Sequence, residues 1–503
     1  MLTWIILLPL LVVVVIAVLP QNQGKLMMAI AWHCVGLGYS LGILLVIKYS
    51  QAYVCGEIWY FVELERDWLN GSLIAGVDGI SIFLIWLTLA IIPVCILASW
   101  ETVAESRLKL FISCYLVLES VIIAVFTCCW DLFMFYFVFE FVLIPMYLMI
   151  GIWGSKKTRM ISAYQLFFYT LVGSFFMLLA MWLISYSSGT FCYFFLSGST
   201  FSNLREMIIW LCFLAAFATK IPMFPLHIWL PEAHVEASTT GSVILAALLL
   251  KLGTYGFLRW VLTMMPVASH QLIPLILTFA LVAIVFTSFT TSRQVDLKKI
   301  LAYSSCGHMN LLIVGLLSSN LTAIAGSIIM HISHGFVSAG LFIFVGQLYE
   351  RFYTRNIKYL RGLASPLPLF GTVFLLFTLA NISVPGSLNF IAEIMVFIGT
   401  FTKNTWVASL AATGVFLGAT YSLWLATRVL FGSVSLYIQG FNDMNMRELV
   451  NQFSLIVPVA LFGFYPQPMC WCIFPSLHFW LIHLAIVQAD RCCVSYDSRC
   501  KNS

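Results

Sequence analysis

Five ionisable side chains stand inside long apolar runs: Glu119, Glu140, Lys220, Lys251 and Glu393. Lys220 lies in FLAAFATKIPMFPLHIWLPEAH, Phe213 to His234, where Pro222, Pro225 and Pro231 follow it. Glu140 lies in FMFYFVFEFVLIPMYL and Lys251 in GSVILAALLLKLGTYGFLRW. Desolvation and a neighbouring carboxylate act on an ammonium in opposite senses, so a lysine caught between them can load or lose a proton at working pH. Glu140 is the natural partner of Lys220; the competing reading is a static ion pair that only fixes packing. His308 follows LAYSSCG, and His331 and His334, three apart in IIMHISHGFVSAGLF, share a helix face. Histidine relays protons near neutral pH. The spacing also suits a metal, but no convincing third ligand accompanies the pair. His331 reads as a satisfied core histidine; His227 and His234 read as interfacial and rank below His334.

The elements that carry these groups follow from composition. The chain has 503 residues, 62% hydrophobic and 9% charged, against roughly 25% charged in soluble proteins. Such a chain cannot cover a water-facing surface. Apolar runs of about 20 residues recur from end to end, the length of a bilayer-spanning helix, and the alternating segments of a membrane barrel are missing. The expected fold class is all-α: a polytopic membrane protein of about 14 transmembrane helices. The N-terminal MLTWIILLPLLVVVVIAVLP has no basic leader region and reads as a retained first span.

Lysine and arginine test that count. Of 25, loops after odd-numbered spans take 14 and those after even-numbered spans, with the tail, take 8. The odd loops should therefore face the cytoplasm or matrix. Arg259 falls in the even set. Arg428 can snorkel from its helix end, but Lys220 and Lys251 lie about 15 Å from either surface. A charge there costs at least ~2.5 kcal/mol, and such groups usually mark ion pathways.

Two breaks interrupt the spans. Pro222 and Pro225 remove amide donors and free carbonyls one turn earlier. Bare backbone at that depth needs surrounding protein or water, so a hydrated cavity is expected, with a simple kink as the alternative. The 367–402 segment is too long for one straight span, and Pro385-Gly386 divides it ahead of Glu393. Spans 7 and 12 are thus broken, the mark of inverted-repeat transporters. The expected organisation is residues 1–107 (spans 1–3), 108–265 (first five-helix repeat, spans 4–8), 266–435 (second repeat, spans 9–13) and 436–503 (last helix and polar tail). Glu140, Lys220, Lys251, His308 or His334, and Glu393 would form a chain along the membrane plane. Changes in pairing would move the proton: Lys220 leaves Glu140 and passes its proton on.

TKIPMFPLHIWLPEAHVEASTTGSVILAALLLKLGTYGFLRW, DLKKILAYSSCGHMN, HGFVSAGLFIFVGQLYERFYTR and FEFVLIPMYLMIGIWG closely resemble the chain 4 family of NADH–ubiquinone oxidoreductase, a membrane-arm subunit of respiratory complex I. The resemblance runs from about Asp78 to Phe431. It implies a fourteen-helix antiporter-like fold with one proton pathway. In it Glu140 matches the glutamate of the fifth helix and Lys220 the lysine of the broken seventh. Lys251 matches the central lysine of the eighth, His334 a histidine of the polar axis, and Glu393 the glutamate beyond the second break. It also implies that NADH, FMN, iron–sulfur clusters and ubiquinone belong to other subunits, with no cofactor here. Expected partners are other membrane-arm subunits, including neighbouring antiporter-like ones, and the lipid bilayer. Family members often carry proline at Ser238, aspartate at Glu232 and glycine at Ala392, and an aliphatic-then-small pair where Cys306-Gly307 stands; no titratable group is lost.

Three other readings compete. An Mrp-type cation/proton antiporter subunit shares the lysine–glutamate framework and would exchange sodium without NADH. Chain 5 of complex I would add a long lateral helix. A passive packing subunit would need no deep charges. The resemblance, with the missing targeting peptide, implies the mitochondrial inner membrane first and a bacterial plasma membrane second. No glycine-rich nucleotide loop or ferredoxin-like cysteine spacing appears among the fourteen cysteines. They read mostly as small buried residues, with the tail DRCCVSYDSRC the one weak candidate for a disulfide or local metal.

Overall fold

The computed structural model describes residues 1–54, 61–63, 75–101, 103–128, 130–435, 438 and 442–478. The cysteine-bearing tail lies outside the described residues, as does Cys129. Among the described residues the one sheet is a short antiparallel pair, Phe61–Glu63 with Ala75–Val77. Everything else that is regular is helical, as the all-α expectation required.

In chain order the helices are α1 Leu2–Val18, α2 Gly24–Val54, α3 Ser81–Ala98, α4 Glu105–Thr127, α5 Leu132–Phe141, α6 Leu143–Trp153, α7 Arg159–Ser188, α8 Tyr193–Gly198, α9 Asn203–Lys220 and α10 Trp229–Glu236. One continuous helix, α11, covers Thr239–Met264. There follow α12 Pro266–Arg293, α13 Leu297–Leu316, α14 Leu321–Phe352, α15 Pro368–Asn381, α16 Leu388–Phe401, α17 Thr405–Leu430 and α18 Met446–Phe464. A last helix, α19, covers Gln467–His478 and is bent 73° from α18.

Among the described residues nine helices are long and apolar enough to cross a membrane, or ten if the bent α18–α19 pair is one span. That is fewer than about 14, and the residues explain the shortfall. The expected seventh span stops at Lys220 and resumes at Trp229. The expected twelfth is split into two helices of 14 residues each. α13 is 20 residues long but carries Lys298, Lys299 and His308, and α1 has 17 residues.

Burial sorts the helices into layers. The apolar windows of α11 and α14 are 100% buried, whereas those of α12 and α17 are 33% and 28% buried. α11 and α14 are therefore the central pillars, and α12 and α17 present apolar side chains outward. α11 contains two π-helical stretches, Leu245–Leu249 and Phe257–Val261, which nothing in its apolar sequence announced. Such bulges break the regular ladder and recur at functional sites. Asp131, Asp296 and Asn404 cap α5, α13 and α17 by accepting from backbone amides in the first turn.

The two breaks are built differently from ordinary kinks. After α9, Pro222 and Pro225 interrupt the amide ladder. After α15, Ser383 and Gly386 have φ of 65° and 95°, the region that favours glycine. α18 crosses so closely that a Cβ on Gly463 would lie 2.3 Å from the carbonyl oxygen of Gly386. Gly463→Ala is therefore expected to destabilise this crossing by about 1–3 kcal/mol. A lowered thermal midpoint of the purified protein is the readout; an unchanged midpoint would contradict the close approach.

Candidate proton-transfer site

Lys220 is the last residue of α9, and its backbone ladder ends where Pro222 withholds an amide. The side chain is 4% exposed. Its Nζ donates to the Phe139 carbonyl at 2.8 Å and stands 3.7 Å from Glu140 Oε1. Glu140, at 19% side-chain exposure, sits on the flank of the bundle beside Ser174 of α7. The pairing expected of Lys220 and Glu140 is present.

Two carbonyls of this break, those of Thr219 and Pro222, are met by side chains from outside α9, one of which also bonds within α13. Trp229 Nε1 donates to Thr219 O at 2.8 Å, and Asn310 Nδ2 to Pro222 O at 3.4 Å and to Cys306 O at 2.8 Å. Trp229→Phe would orphan the Thr219 carbonyl, at about 1–3 kcal/mol. A fall in thermal stability together with weaker pumping is expected; pumping equal to the parent would show that the break does not need this bond. Gly253 of α11 lies against Lys220, where an added Cβ would sit 3.1 Å from Lys220 Cβ. The central helix thus passes directly beside the break.

Lys251, one of the largest fully buried side chains, occupies α11 just after its first π stretch. Its Nζ donates to the Ala246 carbonyl, five residues back, and lies 2.9 Å from His334 Nδ1 on α14. His334 stands 5.6 Å, ring to ring, from His308 of α13. His308 Nδ1 is 3.6 Å from Glu393 Oε1 on α16. Three acid–base contacts therefore form one row from α5 to α16: Glu140–Lys220, Lys251–His334 and His308–Glu393. Among the described residues no direct hydrogen bond or ion pair joins Lys220 to Lys251.

Beside the second break a cavity of about 30 Å³ is lined by His308, Asn381, Glu393, Ser304 and Tyr421, with Gly414 and Gly418 of α17 opposite. That volume holds about one water, and the lining offers the partners a water needs. This cavity lies at the second break, where Glu393 is, and not at the Pro222–Pro225 break for which a hydrated cavity is expected.

Other histidines sort themselves by partner. His331 Nε2 meets Thr254 Oγ1 of α11, whereas its Nδ1 has no hydrogen-bond partner among the described residues, so the expected core histidine is satisfied at one ring nitrogen. His234 is wholly buried and stacked on Phe342 at 4.7 Å, ring to ring. His227 is likewise buried, at 5% exposure. Glu119 is as deep as expected, and neither of its carboxyl oxygens has a hydrogen-bond partner among the described residues.

Sequence reasoning missed several members of this environment. Thr254 lies three residues from Lys251, so helical spacing alone could have placed it on the same side. Asn310 and Tyr421 gave no such signal, because each meets the site from another helix. Arg259 and Lys298 read as loop cations, yet both are buried. Arg259 forms an ion pair with Asp78 at 2.6 Å, and Lys298 Nζ donates to Ala237 O at 2.8 Å. The helices continue past the points where hydropathy ends them.

With this geometry in hand, the similarity to known proteins is informative. Residues 1–125 match the family described as "NADH-ubiquinone oxidoreductase chain 4, amino terminus", and residues 129–418 that described as "NADH:quinone oxidoreductase/Mrp antiporter, TM". The chain is 46% identical to NADH-ubiquinone oxidoreductase chain 4 of Marchantia polymorpha over 480 residues, covering 95% of this chain and 96% of the relative. It is 45% identical to that of Arabidopsis thaliana over 480 residues, with the same coverage. A chain in the structure of respiratory complex I from Thermus thermophilus with bound NADH superimposes with a TM-score of 0.86 at 26% identity, covering 96% of this chain and 100% of that one. Identity of this order over nearly the full length settles the assignment: the chain belongs to the NADH-ubiquinone oxidoreductase chain 4 family.

Proposed function

We propose that this subunit moves protons through the row Glu140, Lys220, Lys251, His334, His308 and Glu393. As a chain 4 member it is a proton-translocating membrane subunit of NADH:ubiquinone oxidoreductase, and the chemistry that drives it takes place elsewhere in the complex. NADH, FMN, iron–sulfur clusters and ubiquinone belong to other subunits. The observation that carries the reading is the succession of three acid–base contacts, Glu140–Lys220, Lys251–His334 and His308–Glu393, beside two broken helices.

The lysines are the mobile carriers. Lys220 holds its proton while Glu140 is near; when the pair parts, the proton passes toward Lys251 over the span that a water or a side-chain movement must close. Lys251 then hands it to His334 Nδ1, which accepts in the neutral tautomer that leaves this nitrogen bare. His308 and Glu393 take it to the cavity beside α17. The Lys251–His334 step runs between groups at hydrogen-bond distance, as proton transfer requires; the Lys220–Lys251 and His334–His308 steps need a bridging water or a side-chain movement.

The architecture that goes with this reading has fourteen spans. Joining α5 to α6, α9 to α10, α15 to α16 and α18 to α19, with α8 left outside, supports that number. The first repeat is residues 108–265, the second 266–435, flanked by 1–107 and 436–503. The basic loops face the matrix of the mitochondrial inner membrane. The half-exposed flanks at Glu140 and at the Glu393 cavity meet the neighbouring antiporter-like subunits. Between the chain 4 and Mrp readings, NADH-linked pumping decides. Lys220→Ala in the reconstituted complex should abolish proton uptake driven by NADH while the complex remains assembled; pumping equal to the parent would reject both this relay and its use of Lys220, and leave a packing role.

A further inference from the structure

We propose that Arg259 and Asp78, packed with Trp130 and Tyr193, form a proton seal that closes the Lys251 end of the relay on the side away from the basic loops. The inference rests on the relay reading above and adds a direction to it.

α11 begins at Thr239, next to the cluster of Lys298 and Arg355 that holds the last carbonyls of α10. It ends at Met264, on the opposite side. Arg259 is eight residues beyond Lys251 on this helix, about 12 Å along its axis. A proton on Lys251 that simply followed α11 would meet Arg259 next.

What it would meet is a compact plate. Arg259 NH1 and Asp78 Oδ2 are 2.6 Å apart, with both side chains 7% exposed. The guanidinium carbon lies 4.3 Å from the Trp130 ring centroid and 4.6 Å from that of Tyr193. Asp78 is fixed in turn by Ser81, whose backbone amide donates to Asp78 Oδ1 at 2.9 Å. The aromatic pieces are fastened to each other. Tyr193 N donates to Trp130 O at 2.8 Å, and Leu132 N to Phe191 O at 3.0 Å. Trp130 stacks on Phe194 at 5.0 Å, and a Cβ on Gly76 would strike the Trp130 indole at 2.4 Å. Four chain segments, the start of α3, the turn between α4 and α5, the start of α8, and α11, converge on one cation.

The chemistry of that cation differs from Lys251. A guanidinium does not release its proton in proteins, so it cannot serve as the next carrier. A fixed positive charge in a low-dielectric wall repels an approaching excess proton, and arginine has this role in pores that must exclude protons. The carboxylate of Asp78 makes the pair neutral as a whole, so the rings matter as much as the charge: they fill the volume a file of water would need. The open way from Lys251 is sideways, through His334 and His308.

The test uses the assembled complex in proteoliposomes, with two readouts: passive proton permeability after an acid pulse without NADH, and the pH gradient formed per NADH oxidised. Arg259→Gln is expected to raise the passive permeability by about tenfold or more and to collapse the gradient. Arg259→Lys, which keeps the charge but can release its proton, should leak as well, and parental permeability there overturns the proposal. A merely structural arginine would lower assembly without making the assembled fraction leaky. Assembled Arg259→Gln with parental permeability overturns the proposal. If that variant does not assemble, Tyr193→Leu removes a ring and keeps the ion pair; it should leak several-fold, and parental permeability there overturns the seal equally. In Arg259→Gln/Lys251→Met the leak should vanish; a leak that persists bypasses the relay and overturns the proposal, while the relay stands or falls on its own pumping assay.

Discussion

Lys251→Met in the assembled, reconstituted complex is expected to lower protons pumped per NADH by about a hundredfold or more, the lower end of what loss of a proton-transfer group does. Methionine keeps the unbranched apolar stem of the lysine, and the site around it is fully buried. The α11–α14 packing should therefore survive. What disappears is the only group on α11 that touches both the Ala246 carbonyl and His334 Nδ1. The row is then cut between Lys220 on one side and His334, His308 and Glu393 on the other. Arginine at the same position should be no better, since it keeps the charge but cannot release a proton. A variant that pumps normally with methionine would show that the central contact is packing alone.

The second large effect is expected at the other end of the row. Glu140→Gln and Lys220→Ala should each reduce pumping by about tenfold or more, and the double variant should be no worse than either single one. Groups that act as one unit show that non-additivity. The pair also differs from a surface ion pair in what breaking it does. Lys220 is 4% exposed, so removing its carboxylate leaves a buried ammonium, at about 3–5 kcal/mol. Glu140→Gln should therefore lower the thermal stability of the complex more than Lys220→Ala does, because Glu140 keeps 19% of its side-chain surface open to its surroundings. If the single variants were independent, with their losses multiplying in the double, Glu140 and Lys220 would belong to separate steps.

Much of this site could be read from the chain because its grammar is local. A lysine followed by prolines two and five residues on cannot continue a helix, and α9 does end on Lys220. Pro385-Gly386 ahead of Glu393 gave the second break for the same reason, and Gly386 adopts the positive φ that such a break uses. The partnership of Glu140 with Lys220 followed from the scarcity of charge: few groups at that depth could answer an ammonium.

The rest depended on distance in space. Lys251 and His334 are 83 residues apart, and only the packing of α11 against α14 selects His334 over His331, which turns to Thr254. Hydropathy hid Arg259, since a window that stops at a charge ends the helix there, whereas α11 runs on to Met264. The charge is tolerated because Asp78, 181 residues away, meets it. The count of spans suffered from the same weakness in reverse: α13 and the halves of the broken helices carry the polar groups that function requires, and so score as too short or too polar to cross. The tail with its cysteines lies beyond the described residues, and the stacking of His234 on Phe342 joins two helices whose contact no local pattern announces.

The central claim is that water completes the row where side chains do not touch. A cryo-EM map of the assembled complex, at a resolution that shows ordered water, tests it at the interval between Lys220 and Lys251 and at the cavity beside Glu393. The account predicts waters within hydrogen-bond reach of both lysines and of Glu393, bridging them through Glu140, His334 and His308. An interval filled by apolar side chains, with no water between Lys220 and Lys251 in any turnover state, would contradict it.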